Sequence, residues 1–212
     1  MRRPHVIVNA AMSVDGKIAL QDRTGVRISN DEDLRRLHES RASCDAILVG
    51  VGTVLMDDPK LIVKGERAKG RKPLRVVLDS NGSSPESSAI FDGTAPTLVA
   101  TNVDCTKTFA NAEVVRCGED EVDLPKLLEI LHERGVKRLL VEGGSTVNWS
   151  FLRHGLADEL LVFVGSFALG GHSAPTLVGG QGVGRVEDAI RLELKRSTPL
   201  GDGVLLEYAV VH

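Results

Sequence analysis

The nine residues Arg138-Leu139-Leu140-Val141-Glu142-Gly143-Gly144-Ser145-Thr146 decide the fold. Arg138–Val141 reads as a buried strand, an acid and two glycines end it, and a helix over Thr146–His154 follows until Gly155 stops it. A strand that runs through a glycine turn straight into a helix is the repeating step of an α/β chain. The turn itself has two readings. Helix N-termini expose unpaired N–H groups and a partial positive charge, so it can cradle a phosphate. The glycines would let the backbone approach closely, and Ser145 and Thr146 would add hydroxyl donors. The other reading is a tight strand–helix turn with an ordinary Ser/Thr cap.

Outward from this stretch the alternation continues. Buried strands are expected at Val6–Ala10, Ala46–Val49, Leu74–Leu78, Thr97–Ala100 and Leu160–Val164. Asn30–Arg41 reads as a helix, because acids 31–33 fill its first turn and Arg41 lies near its end, matching the macrodipole. A short helical turn is expected around Thr53–Met56. Asp123 is placed to cap a helix over Leu124–Arg134, with Pro125 just inside and Gly135 just past the end. At the C-terminus Ile190–Arg196 and Val204–Val210 alternate apolar with polar residues around a Pro199–Gly203 turn, an antiparallel hairpin. The sheet is therefore expected to be mixed. No linker or internal repeat divides the chain, so one domain over residues 1–212 is expected.

Composition excludes several classes. Net charge is −3, acids and bases are interspersed, and one Trp, one Tyr and five Phe leave few stacking surfaces, so neither nucleic acid nor membrane is an expected partner. No apolar run approaches the roughly 20 residues of a membrane helix, and the N-terminus lacks a signal-peptide core. Cys44, Cys105 and Cys117 form no Cys-x-x-Cys pair, and the six histidines have no ligand spacing, so no metal is expected and the chain reads as cytoplasmic.

Three further segments are candidates. Gly50-Val51-Gly52-Thr53 begins like a dinucleotide fingerprint, but Leu55 replaces the third glycine. After it, Asp57-Asp58-Pro59 is a metal candidate or, without clustered ligands, a turn. Ser13-Val14-Asp15-Gly16-Lys17 is a glycine turn whose Lys17 is either solvated or functional. The glycine-rich stretch from 170 to 184 is a lid or an irregular loop.

Taken in order, these motifs resemble the riboflavin-biosynthesis reductase family. The pieces are Met12-Ser13-Val14-Asp15-Gly16-Lys17, Arg41 with residues 45–50, Gly52-Thr53-Val54-Leu55 with Asp57-Asp58-Pro59 and Leu61, Arg75–Ser80, Val141–Gly144, and Gly170-Gly171 with Ala174-Pro175. The resemblance implies a dihydrofolate-reductase-like α/β fold, a mixed central sheet flanked by helices, usually as a homodimer. It implies an NAD(P)H-dependent oxidoreductase with NADPH as donor. Without a deaminase motif in the sequence, the stand-alone archaeal and fungal form is expected. That form reduces 2,5-diamino-6-ribosylamino-4(3H)-pyrimidinone 5′-phosphate to its ribitylamino product. A same-fold reductase of another pterin- or pyrimidine-like substrate, or a non-enzymatic NADPH-binding protein, is the alternative.

The residues so implied at the cofactor are Met12, Thr53, Asp57, Ser80, Gly143, Gly144, Ser145 and Thr146. At the substrate they are Arg41, Leu61, Lys64 and Glu142. Glu142 and Lys17 are assigned to the chemistry, Glu142 at the substrate amines and Lys17 near the sugar. Asn81-Gly82-Ser83-Ser84-Pro85 follows Ser80 where the family commonly carries an Arg for the 2′-phosphate. NADH therefore stays open beside NADPH, with the basic loop Arg67–Lys72 as the candidate substitute.

Overall fold

The structure, a computed structural model, describes residues 2–64 and 70–212. Arg67 and Lys69, on which part of the basic-loop expectation rests, lie outside the described residues. The strands are β1 (His5–Ser13), β2 (Ala46–Gly50), β3 (Leu74–Leu78), β4 (Thr97–Thr101), β5 (Glu113–Arg116), β6 (Arg138–Val141), β7 (Glu159–Gly165), β8 (Leu192–Leu200) and β9 (Gly203–Val210). The helices are α1 (Asp31–Ser43), α2 (Val51–Asp57), α3 (Leu124–Glu133) and α4 (Ser145–Arg153). They form two compact units, one of Met1–His5 with His38–Leu140 and a second of Val6–Leu37 with Val141–His212.

In the first unit the strand order is β5-β4-β3-β2-β6, and β2, β3, β4 and β5 pair in parallel. Strands β2 and β4 are buried along their whole length, which is why they read as unbroken apolar runs. Ile47, Val49, Val77 and Val99 join Val54, Leu61, Ile90, Phe91 and Phe109 in one core, where the Phe91 and Phe109 rings stack with centroids 4.7 Å apart. Arg75 is fully buried inside β3. Its guanidinium donates to Thr97 Oγ1 (2.9 Å), Asp92 Oδ1 (3.0 Å) and the Ala95 carbonyl (2.7 Å), so the charge is paired and each guanidinium nitrogen has an acceptor. On the other side of that pair the Asp92 carboxyl is lowered to about 2, by the Thr94 hydroxyl first and by Arg75 as well. Helix α3 starts as expected, the Asp123 carboxylate accepting from Lys126 N–H at 3.0 Å. Strand β5 was not expected. It is four residues long, half-exposed and at the end of its sheet, so its apolar signal is short.

In the second unit β1 pairs in parallel with β7, while β9 lies antiparallel between β7 and β8. The mixed sheet and the C-terminal hairpin are thus both present. The turn is tighter than the expected Pro199–Gly203: Leu200 stands opposite Gly203 and only Gly201-Asp202 lie between. Gly201 takes φ +64, and Pro199 is tolerated because β8 is a terminal strand. Gly203 must be glycine, since a Cβ there would lie 2.4 Å from the Phe163 ring. Among the described residues no helix is long and apolar enough to cross a membrane.

Candidate active site

The residues expected at the site fall into two groups, one in each unit. In the second unit, Glu142 and the glycine pair lead into the start of α4. Gly143 has φ +88, and the Gly143–Gly144 peptide is cis. The N-cap is Gly144, and no side chain caps the helix. The ordinary Ser/Thr cap is therefore not what the turn contains. Ser145 Oγ instead donates to the Thr176 carbonyl at 2.6 Å, and Thr146 is exposed. Gly144 has no side chain to accept from the first-turn N–H groups, and such groups at a helix N-terminus suit an anion. A dinucleotide pyrophosphate fits this donor set.

Lys17 belongs to the same group through the segment after β7. The turn carrying it is closed by Ser13 N–H to Lys17 O (2.8 Å) and Lys17 N–H to Ser13 Oγ (3.0 Å), with Gly16 at φ +80. Lys17 is half-buried and its Nζ donates to the Ala174 carbonyl at 3.4 Å, so the ammonium is not simply solvated. Lys17 also bridges to Thr176, the residue that accepts from Ser145. Asp15 fastens the turn from its other side. Its carboxylate accepts from Ser13 Oγ (2.6 Å) and from the N–H groups of Leu169 (3.0 Å) and Gly170 (2.7 Å). The Ser13 hydroxyl, then those two amides, lower its pKa to about 2. Met12 precedes this turn near the end of β1, half-buried opposite Val164.

In the first unit, Thr53 and Asp57 lie one turn apart on α2. Partial burial of the Asp57 carboxyl raises its pKa, although the residue as a whole is solvent-facing. Asp58 forms the expected turn: it closes α2 at φ 42 and its Oδ1 accepts from Ala89 N–H at 2.7 Å. Ser80 sits in the turn after β3, where its Oγ accepts from Val122 N–H at 3.2 Å and keeps its own proton to donate. That turn is built by buried Asp79, which accepts from Ser83 N–H (2.8 Å) and Ser84 N–H (2.7 Å). Arg41 Nη1 donates to the Ile62 carbonyl at 3.0 Å, and Lys64 N–H to His38 Nδ1 at 3.4 Å. The end of α1 and segment 61–64 are thereby held together, with Arg41 and Lys64 as their cations. Leu61 is only 3% exposed and packs in the core, so any ligand contact there falls to its backbone.

Asp15, Asp79 and Asn148, which organise these turns, were not singled out from the sequence. An Asp directly after a buried strand and before Ser-Asn-Gly is a signal for the Asp79 turn. The backbone partners of Asp15 and the partner of Asn148 are remote in sequence and gave none. Among the described residues no group of three or more His, Cys, Asp and Glu is placed to hold a metal.

The mixed sheet with its antiparallel C-terminal strands is of the dihydrofolate-reductase-like class. The fold is shared with dihydrofolate reductase of Enterococcus faecalis, at TM-score 0.52 and 12% identity over 98% of this chain and 97% of that one. The family model described as the RibD C-terminal domain matches residues 4–206, and the chain belongs to that family. The 2,5-diamino-6-ribosylamino-4(3H)-pyrimidinone 5′-phosphate reductase of Methanothermobacter thermautotrophicus is 47% identical, over 98% of this chain and 99% of its own length. The crystal structure of a diaminohydroxyphosphoribosylaminopyrimidine deaminase/5-amino-6-(5-phosphoribosylamino)uracil reductase from Thermotoga maritima superposes at TM-score 0.86 with 28% identity. It is covered over 57% of its length and covers 99% of this chain.

Proposed function

We propose that this chain is an NADPH-dependent reductase in riboflavin biosynthesis. It converts the ribosylamino group of 2,5-diamino-6-ribosylamino-4(3H)-pyrimidinone 5′-phosphate to ribitylamino. The observation that carries the substrate is the end-to-end match to a relative of that name. The uncapped start of α4 supports the dinucleotide. The family match over residues 4–206 supports a single reductase domain.

NADPH supplies the hydride that C1′ of the ring-opened sugar imine accepts. The rest of the work falls to the chain. The Gly143-Gly144 backbone and the α4 N–H groups hold the pyrophosphate, with Met12, Thr53, Asp57 and Ser80 at other parts of the dinucleotide and Thr146 as a hydroxyl donor. Ser145 contributes its N–H, its hydroxyl proton being committed to Thr176. Arg41 and Lys64 hold the substrate 5′-phosphate. Glu142 engages the substrate amines and favours the protonated imine, while Lys17 faces the sugar. Orientation of donor and acceptor supplies most of the acceleration. NADPH rather than NADH is supported by Lys107, whose Nζ donates to the Ser84 carbonyl at 2.6 Å. It brings a cation to the turn that follows Ser80, where a 2′-phosphate would need one.

The chain works in the cytoplasm, as its three buried, unpaired cysteines suggest, and as a homodimer. Support for the dimer comes from β8, a terminal strand with Leu192 and Leu194 exposed.

The test follows NADPH absorbance on adding the ribosylamino-pyrimidine phosphate, with its deaminated analogue and NADH in parallel. Oxidation that is fastest with NADPH and the diamino substrate is expected. Oxidation only with the analogue reassigns the substrate, and NADPH binding without oxidation under either condition overturns the enzymatic reading.

A further inference from the structure

The segment after β7 returns to the start of α4 and is fastened there. Ser145 Oγ donates to Thr176 O (2.6 Å), Asn148 Nδ2 to Leu177 O (2.8 Å), and Gly179 N–H to Ser145 O (3.1 Å). Gly180, at φ +75, lies flat on Trp149, and a Cβ there would be 2.0 Å from the ring. The same segment accepts from Ile18 N–H at Pro175 O (2.9 Å) and donates from Leu177 N–H to Gly16 O (3.1 Å), so it also grips the Lys17 turn.

Asn148 is the buried member of this set, at 1% exposure. Its amide faces two ways: Nδ2 ties down Leu177, and Oδ1 lies 3.4 Å from where a Cβ of Gly143 would stand. Among the described residues Oδ1 has no hydrogen-bond partner. A buried amide with an unpaired acceptor is a costly way to fill space that a leucine would fill. What the amide does here that an apolar side chain cannot is hold a remote backbone segment beside the glycine turn.

We propose that Asn148 is a positioning residue for the dinucleotide. By seating Thr176–Gly180 on the first turn of α4, it fixes the Gly143-Gly144 backbone and the first-turn N–H groups in their anion-binding arrangement. This rests on the assignment of that turn to the cofactor. Asn148 itself touches no reacting atom.

Trp149 is the sole tryptophan of the chain, and being buried beneath Gly180 it reports the seating directly. The experiment measures NADPH affinity by quenching of Trp149 fluorescence, together with kcat and both KM values, for Asn148→Leu, Gly180→Ala and the double variant. Asn148→Leu is expected to weaken NADPH about tenfold in both Kd and KM, misplacement of a bound group being the cause. Its substrate KM should stay within about twofold, because Arg41 and Lys64 hold the substrate phosphate outside this segment. Gly180→Ala lifts the same segment from outside the turn and should give the same split, with Trp149 emission shifted to the red. Because both act through one seating, the double variant should lose far less than the product of the single losses. Unchanged NADPH affinity in folded Asn148→Leu, an equal rise in substrate KM, or multiplicative losses overturn the proposal while leaving the cofactor assignment intact. If Asn148→Leu does not fold, Gly180→Ala decides by its own KM split. Absence of NADPH binding in the wild-type protein overturns the cofactor assignment itself, and the proposal with it.

Discussion

Glu142 follows β6 and stands beside the N-terminus of α4, where any carboxylate gains ~0.3–1 kcal/mol from the helix dipole. A purely structural role would therefore cost little on neutralisation, whereas a role at the substrate amines would cost turnover. Glu142→Gln should lower kcat by about two orders of magnitude, the scale of a lost acid–base group. NADPH Kd should stay within about threefold. Parallel losses in kcat and in NADPH affinity, measured by steady-state kinetics and fluorescence titration, would remove Glu142 from the substrate. This residue was legible in the sequence because the acid, the glycines and the helix start are contiguous. Asp15 and Asn148 were not. Asp15 is anchored to amides 154 and 155 positions away and Asn148 to a carbonyl 29 away, and no local pattern encodes such partners.

Elements were predicted best where their end signals are local. The start of α3 is the clearest case: Asp123, Pro125 and Gly135 were read from the sequence, and the Asp123 side chain does accept from Lys126 N–H. Asp123→Ala should destabilise the protein by about 1 kcal/mol, as removal of an N-cap does, read as a lower urea midpoint at unchanged slope. No change in midpoint would mean that tertiary packing alone holds that end of the helix. The start of α4 shows the opposite case. Its Ser-Thr pair was open to a cap as well as to a phosphate cradle, yet the Ser145 hydroxyl donates to the Thr176 carbonyl, and that orientation is set by a segment 31 residues on. The hairpin shows a third. Its strands were found, but the turn shrank to Gly201-Asp202 because Asn30 Nδ2 holds both Leu200 O and Asp202 Oδ1 at 2.7 Å.

At the scale of the molecule, β8 is exposed along most of its length, with Leu192 and Leu194 bare at 40% and 53%. A terminal strand with exposed apolar side chains is an association hazard unless its outer edge is covered. The wild-type protein should sediment as a dimer and Leu194→Lys as a monomer. A monomeric wild type, or a dimeric variant, would show that this strand is not the contact.

By itself the sequence determined the α/β alternation, the mixed sheet, the antiparallel tail and the glycine–helix turn, because each follows from periodicity and end signals within a few residues. Only the tertiary structure decided that the α4 turn is left uncapped, that Arg75 is a buried and paired cation rather than a surface charge, and that Thr176–Gly180 is seated on Asn148 and Trp149. Each of these depends on which distant carbonyl, carboxylate or ring occupies the neighbouring space, and chain spacing does not specify that.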